Sequence, residues 1–156
     1  SKSEKEKSLS RNEQIDFIAN LVSRYKLLYI EDPLQKNDFR GYSVLRKKVS
    51  CLVIGSSLVS SKKENLALAV KNKCISAFVL KLNELGSLIE AKELIELANK
   101  NSIRIIAETC QYEASNNFIV HFSVAFNIPV IKYGIYKKDN EKIAEILRIE
   151  SLMKPK

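Results

Sequence analysis

The sequence predicts an α/β domain in which about five parallel strands alternate with helices. Short apolar runs recur along the chain without polar alternation, which is typical of strands buried on both faces of a parallel sheet. Between these runs, apolar residues recur at spacings of three and four, as on one face of a helix. Five strands are too few for a closed eight-stranded barrel, so we expect an open sheet or a partial barrel. Either arrangement leaves two sheet edges that need cover from a partner or a second copy.

The strands and helices are placed by local signals. The apolar runs predict strands at 27–30, 51–54, 77–80, 103–106 and 129–131. Three Ser-x-x-Glu segments have the form of a capping box, which satisfies free N–H groups at a helix start, and they begin at Ser10, Ser61 and Ser87. Further helices are predicted near 42–47, at 118–126 and in a final segment that carries Ile143, Ile146, Leu147 and Ile149.

Length and composition indicate one ordinary globular domain. The chain has 156 residues, of which 46% are hydrophobic and 28% are charged. Residues 1–9 are mostly charged or Ser and predict a disordered tail, which leaves 10–156 as the domain. No apolar run approaches the roughly 20 residues that span a bilayer, and the start lacks the apolar stretch of a signal peptide. We therefore expect a cytoplasmic protein with no membrane partner. The spacing of the three cysteines fits no zinc-binding pattern.

The net charge of +8 would favour contact with an anionic partner. The basic residues occur in small groups along the chain, such as those at 46–48, 62–63 and 137–138. No arginine-rich stripe interleaves them with aromatic residues. This pattern favours solvent-exposed basic surfaces over a dedicated nucleic-acid site. Nucleic-acid binding is therefore the weakest of the function hypotheses.

Charged residues follow several predicted strands at their carboxyl ends, where functional groups collect in parallel α/β folds. Glu31 and Asp32 follow the first strand, Lys81 follows the third, Glu108 lies after the fourth and Lys132 follows the fifth. A lysine near other cations or in a dry pocket can act as a base, and carboxylates can hold Mg²⁺. The alternative is that these are strand-end charges that face solvent.

Four motifs indicate a relationship to a known family. Tyr29-Ile-Glu-Asp-Pro33 resembles the Ile-Glu-Asp-Pro signature of enolases. The stretches 80–88, 130–134 and 146–150 resemble Leu-Lys-x-Asn-Gln-Ile-Gly-Thr-Leu, Gln-Ile-Lys-Thr-Gly and Leu-Leu-Arg-Ile-Glu of the same family. They occur in the family's order at nearly its spacing and cover roughly residues 10–152. The resemblance implies a partial enolase-type TIM barrel that corresponds to the C-terminal part of the family's barrel.

Enolases dehydrate 2-phosphoglycerate to phosphoenolpyruvate with two Mg²⁺ ions, and the resemblance implies roles for three residues. Glu31 stands at the position of a magnesium ligand, Lys81 at the position of the proton-abstracting lysine, and Lys132 at the position of the lysine that helps to hold the substrate carboxylate. These assignments follow from the resemblance alone. Asn83 and Gly86 preserve the loop after the catalytic strand.

The chain also departs from the family's pattern. Ser56 stands where a second magnesium carboxylate belongs, and a neutral hydroxyl cannot supply its charge. Glu108 and Thr109 stand where a histidine and an arginine would contact the substrate and its phosphate, and an acid there should repel phosphate. The regions that supply the remaining ligands and catalytic groups in the family are not recognisable in residues 1–26. His121, in a predicted helix, is interpreted as a packed or surface side chain rather than a ligand.

Two function hypotheses follow. In the first, the chain is a degenerate enolase-like protein that is non-catalytic alone and acts as a binding or assembly module, through self-association or a partner chain. In the second, it is a subunit or fragment of a magnesium-dependent enolase-type lyase of glycolysis that another chain completes. Ser56 and Glu108 favour the first hypothesis, and the retained Glu31, Lys81 and Lys132 favour the second.

Overall fold

The computed structural model describes residues 9–109, 117–134 and 140–153. Strands and helices alternate along these segments, as the sequence predicts. The elements are α1 (Arg11–Tyr25), β1 (Tyr29–Glu31), α2 (Phe39–Lys48), β2 (Leu52–Ile54), α3 (Ser56–Val59), α4 (Lys63–Lys71), β3 (Ala77–Lys81), α5 (Leu88–Lys100), β4 (Arg104–Glu108), α6 (Phe118–Ala125), β5 (Val130–Lys132) and α7 (Asn140–Met153). A short 3₁₀ turn, Leu82–Glu84, follows β3.

The five strands form one sheet in the order β1-β2-β3-β4-β5, and every neighbouring pair is parallel. Each strand therefore pairs with the next one along the chain, as in a sheet that is wound in one direction. This confirms the predicted α/β class and the number of parallel strands. The short helix α3 was not predicted, because it is only four residues long and carries no capping side chain of its own.

The sheet is strongly curled. Lys132 at the end of β5 lies 2.9 Å from the carboxylate of Glu31 at the end of β1, although these are the two edge strands. Strands lie about 4.8 Å apart, so a flat sheet would separate its first and fifth strands by about 19 Å, beyond the combined reach of the two side chains. In an eight-stranded ring, strands four places apart face each other across the axis. The sheet is therefore half of a barrel, as the resemblance implies.

Both faces of the sheet are packed. On the convex face, Phe78, Leu80 and Ile105 join a large core with the helices. On the concave face, Ile54, Ala77 and Val79 form a smaller cluster. This explains why the strands read as continuous apolar runs, since alternate residues enter two different cores.

The first strand differs from the prediction of a buried run at 27–30. The observed strand begins two residues later, at Tyr29, and Leu28 is 84% exposed. The reason is position: β1 is an edge strand and has a neighbour on one side within the described residues.

The three predicted capping boxes have different outcomes. The Ser10 box is confirmed, with both reciprocal hydrogen bonds present. The Ser87 hydroxyl caps α5 through the Glu90 N–H, but the Glu90 carboxylate accepts from the Gly86 N–H instead of from Ser87. The Ser61 box is wrong, because Lys62 occupies the cap of α4 and the Ser61 hydroxyl accepts from the Lys81 N–H at 3.2 Å. Ser61 thus ties a helix start to the end of β3.

The predicted disordered tail lies outside the described residues, apart from the exposed Leu9. Within the described segments, no helix is both long and apolar enough to cross a membrane.

Asp32 fixes the junction between β1 and α3. Its carboxylate accepts from the backbone N–H of Ser56 at 2.9 Å and from that of Ser57 at 2.9 and 3.0 Å. The Tyr42 hydroxyl also donates to it, at 3.4 Å. Its own backbone is left-handed, with φ of 45°. A carboxylate at a helix N-terminus satisfies free N–H groups and complements the helix dipole.

We expect Asp32→Ala to lower the free energy of unfolding by about 2 kcal/mol, because it removes the cap and strains a left-handed position. Asp32→Asn keeps an acceptor and tolerates that conformation, so its cost should be below about 1 kcal/mol. Urea denaturation followed by circular dichroism measures both. The control is Asp16→Ala, which removes an exposed ion pair with Lys48 and should cost less than about 0.5 kcal/mol. An Asp32→Ala effect no larger than that of Asp16→Ala would contradict the capping role.

Candidate functional site

The carboxyl ends of the strands form a rim at which four charged side chains meet. Glu108 lies between two lysines, with its carboxylate 2.9 Å from Lys132 Nζ and 3.8 Å from Lys81 Nζ. Lys132 also contacts Glu31 at 2.9 Å. The order across the rim is therefore Lys81, Glu108, Lys132, Glu31, with alternating sign. We call this group the rim network.

The strand register explains why these groups meet. Lys81 lies directly opposite Glu108 on β4, and Glu108 lies directly opposite Lys132 on β5. Directly opposed residues point to the same face of a sheet, and opposite charges in such pairs attract. Glu31 comes from the other edge of the sheet and joins because the sheet curls.

The rim network is neutral when both lysines and both glutamates are charged. Glu84, in the turn after β3, adds another carboxylate 3.6 Å from Lys81 Nζ. Each strand-end lysine thus has carboxylates as its nearest partners. These carboxylates offset the positive charge that an anion approaching the lysines would encounter.

Lys132 is held in its charged form by this arrangement. Partial burial acts to lower its pKa, but hydrogen bonds and charge interactions with Glu108 and Glu31 outweigh that effect and raise it. A lysine with a raised pKa holds its proton at neutral pH and is suited to bind a negative group. Lys132 is therefore a charged side chain whose positive charge is already paired with Glu31 and Glu108.

The other residues singled out from the sequence lie outside the rim network. Ser56 is 4% exposed and begins α3, where its backbone N–H donates to Asp32. Thr109 extends the β4–β5 ladder, with its N–H donating to the Lys132 carbonyl at 3.1 Å. Residues 110–116, which complete the divergent motif after Thr109, lie outside the described residues.

His121 is a surface side chain, as interpreted from the sequence. Its side chain is 56% exposed, and Nε2 lies 3.1 Å from the Glu145 carboxylate on α7. Arg148 contacts the same carboxylate. The histidine therefore joins α6 to α7 and has no contact with the rim network.

The structural roles of two residues near the rim network were not identified from the sequence. Asp32 was placed at the rim but acts as the cap of α3, and Ser61 was assigned to a helix cap but holds the Lys81 backbone. Their partners lie 24 and 20 residues away, so no local pattern points to them.

The described residues fit a Mg²⁺ site poorly. Within the described segments, no group of three or more His, Cys, Asp or Glu side chains is arranged to hold a metal ion. Glu31 is paired with Lys132, and Ser56 offers a neutral hydroxyl where the resemblance places a carboxylate. Magnesium prefers an octahedral set of oxygen ligands. The two carboxylates of the rim network, Glu31 and Glu108, are both paired with lysines.

Comparison with known proteins gives a consistent result. The family model described as "Enolase, C-terminal TIM barrel domain" matches residues 1–155. The chain is 33% identical over 149 residues to the enolase of Archaeoglobus fulgidus, an alignment that covers 95% of this chain and 37% of that enolase. It is 36% identical to the enolases of Methanosphaera stadtmanae and Sulfurisphaera tokodaii, over 141 and 148 residues. These alignments cover 88% and 93% of the chain and 34% and 36% of the relatives.

The chain thus spans about a third of the length of the curated relatives that it matches. The half-barrel, the rim motifs and the match of the family model along nearly the whole sequence agree with one another. The chain belongs to the enolase family and corresponds to part of its C-terminal TIM barrel domain.

Proposed function

We propose that this chain is a degenerate enolase-like protein that is not catalytic on its own and acts as a binding or assembly module. The position of Glu108 carries the proposal. It lies between Lys81 and Lys132, the two lysines to which the resemblance gives a catalytic and a substrate-binding role. A substrate with carboxylate and phosphate groups needs uncompensated positive charge, and here an internal carboxylate already supplies the negative partner.

The loss of metal ligands supports the same proposal. Ser56 replaces a carboxylate and is buried at the start of α3, where it helps to form a capped turn. Glu31 is the retained ligand position and is paired with Lys132. The carboxylate that would bind Mg²⁺ and the lysine that would bind substrate instead form an ion pair with each other.

Among the described residues, β1 and β5 each pair on one side only, which supports an assembly role. At the β1 edge, Leu28 is exposed and a groove of about 440 Å³ runs between α1 and β1, lined by Phe17, Leu21 and Ile30. At the other edge, Val130 of β5 is also exposed. Unpaired strand edges with apolar neighbours are sites at which another chain can add. The partner is a second copy of this chain or a different chain.

A second candidate is a subunit or fragment of a magnesium-dependent enolase-type lyase that another chain completes. The retained Glu31, Lys81 and Lys132 favour it, because all three point to the same rim. The curvature of the sheet also leaves one side of the barrel open for further strands. In that case the added chain would supply Mg²⁺ ligands and displace Glu108 from the lysines, and the reaction would be dehydration of 2-phosphoglycerate.

The first test is catalysis by the chain alone. With Mg²⁺ and 2-phosphoglycerate, we expect formation of phosphoenolpyruvate, followed by its ultraviolet absorbance, to be no faster than in the Lys81→Ala variant. Lys62→Ala, at an exposed position that is not part of the rim network, is the matched control. Turnover that is lost in Lys81→Ala and kept in Lys62→Ala would contradict the non-catalytic proposal.

The second prediction concerns the pKa of Lys132. Glu108→Gln should lower it, because a carboxylate that stabilises the ammonium is lost while the burial remains. Carbon-13 NMR of the lysine side chains during a pH titration measures this pKa. In the native protein the raised pKa stabilises the fold below the unfolded-state value of about 10.4, and this contribution is lost as the pH rises through the folded-state value.

Glu93→Gln is the control for that titration. Glu93 raises the pKa of Lys63, so its removal should lower the pKa of Lys63 and leave that of Lys132 unchanged. Glu108→Gln should also strengthen binding of 2-phosphoglycerate, since the rim network changes from neutral to a net positive charge. A Lys132 pKa that is the same in Glu108→Gln and in the native protein would show that Glu108 does not compensate this lysine.

The third prediction is a solution mass above the monomer mass of 17.7 kDa. Light scattering after gel filtration measures it over a range of concentrations. Leu28→Lys should reduce the mass to that of the monomer, because it places a charge at the apolar β1 edge. Ile89→Lys changes an apolar side chain that is also largely exposed, on α5, and should have no effect. A monomer at every concentration would exclude self-association and leave a different chain as the partner.

A further inference from the structure

The end of the half-barrel opposite the rim carries a concentration of positive charge. Five described connections lead from a helix to the next strand at this end, and the one from α6 to β5 has no charged residue. In the other four connections, we take the residues from the last turn of the helix to the first residue of the strand. We call these residues the basal face: 22–29, 45–52, 68–77 and 97–104. These connections contain two, three, two and two Lys or Arg residues, and none contains Asp or Glu.

This face holds the excess positive charge of the described residues. All nine of these cations are exposed. The chain has 26 Lys and Arg residues against 18 Asp and Glu residues, so the remainder of the chain carries 17 cations and 18 carboxylates. In the part of the chain that the structure describes, the residues outside this face include 10 cations and 14 carboxylates, so the excess of positive charge there lies at one end.

Backbone hydrogen bonds hold the four connections side by side. The Leu52 N–H donates to the Leu28 carbonyl at 3.1 Å, the Ser76 N–H to the Val53 carbonyl at 2.8 Å, and the Arg104 N–H to the Ser76 carbonyl at 3.0 Å. Three steps of about 4.8 Å separate the first of these strands from the fourth, so the starts of the strands lie within about 15 Å. We call the nine cations on these four neighbouring connections the strip.

Helix stabilisation explains part of this charge. Cations in the last turn of a helix interact well with its dipole, and Lys47, Lys71 and Lys100 fit that rule. The rule does not explain Lys73 or Arg104, which follow the helices, nor the absence of carboxylates from all four connections.

Within the described segments, few carboxylates are placed to compensate the strip from outside. Lys48 forms an exposed ion pair with Asp16 on α1, and Glu150 lies in the last turn of α7. Arg46 donates to the Lys73 carbonyl and to the Ser76 hydroxyl, which are neutral acceptors. The strip therefore keeps most of its charge available to a partner.

Two exposed tyrosines lie at one end of the strip. Tyr25 and Tyr29 are 60% and 58% exposed, and the Arg24 guanidinium lies 5.3 Å from the centre of the Tyr25 ring. Proteins that bind single strands combine a positive groove, which follows the phosphates, with aromatic rings on which bases stack. Positive charge beside exposed rings is the same combination.

We propose that the basal face binds single-stranded nucleic acid through its phosphate backbone, with base stacking at Tyr25 or Tyr29. An anionic membrane is the less favoured partner. Exposed large apolar groups are concentrated in 22–29, with Leu68 as the one outside it, so three of the four connections offer little to insert into lipid. The proposal concerns the end opposite the rim and holds whether or not the rim is catalytic.

The test uses the whole chain and a fluorescent oligouridylate of about 20 nucleotides, with binding followed by anisotropy. The basal variant is Lys47→Glu, Lys73→Glu and Lys100→Glu together. The matched control is Lys36→Glu, Arg40→Glu and Lys62→Glu, at three exposed positions outside the basal face. Both variants lower the net charge from +8 to +2, so they differ only in where the charge is removed.

At about 100 mM salt, we expect the basal variant to bind at least about tenfold more weakly and the control to stay within about threefold of the native chain. Between about 50 and about 200 mM salt, the slope of log affinity against log salt should be shallower by about 2 in the basal variant, since about 0.7 is lost for each phosphate contact. Equal weakening in both variants, or no binding by the native chain at about 50 mM salt, would overturn the proposal.

Two further measurements separate the alternatives. Tyr25→Ala with Tyr29→Ala should weaken binding several-fold at an unchanged salt slope, and an unchanged affinity would overturn the stacking contribution. Tighter binding to phosphatidylserine vesicles than to the oligonucleotide would identify a membrane surface instead. If circular dichroism shows that the basal variant is unfolded, the corresponding Lys→Gln variant replaces it, with an expected loss of at least about threefold.

Discussion

The curl of a one-directional parallel sheet places the functional groups of this protein. Because each strand pairs with the next along the chain, the sheet bends steadily in one direction, and its first and fifth strands face each other. The contact between Glu31 and Lys132 spans that opening and is separated by 101 residues in sequence. Without the curl, the rim would have two distant ends, and Glu31 could not share Lys132 with Glu108.

The same winding gives the two ends of the half-barrel different charge distributions. Helices run opposite to the strands, so every helix-to-strand connection lies at one end and every strand-to-helix connection lies at the other. The rim end combines both signs of charge and satisfies them locally, as Glu108 does between Lys81 and Lys132. The basal end has cations alone in four neighbouring connections. Functions at the two ends can therefore change independently.

The fold of this protein does not depend on the charges at its rim. The family's barrel architecture depends on apolar strands, on the register of β3, β4 and β5, and on caps such as that of Asp32 on α3. None of these depends on the identity of the residue at 108 or 56. A carboxylate at 108 pairs with two lysines and offsets their positive charge without disturbing the strand register.

The sequence by itself determined the fold class, the five strands and the helices other than α3 to within a few residues. It also determined the motifs that identify the family, because these features depend on local periodicity and short spacings. It also placed Glu31, Lys81, Glu108 and Lys132 at strand ends. Only the tertiary structure decided that these four pair with one another and that Asp32 caps a helix. It also decided that basic residues scattered along the chain lie on one face. The physical reason is that register and curl bring together residues from different strands, and no local pattern records which of them will meet.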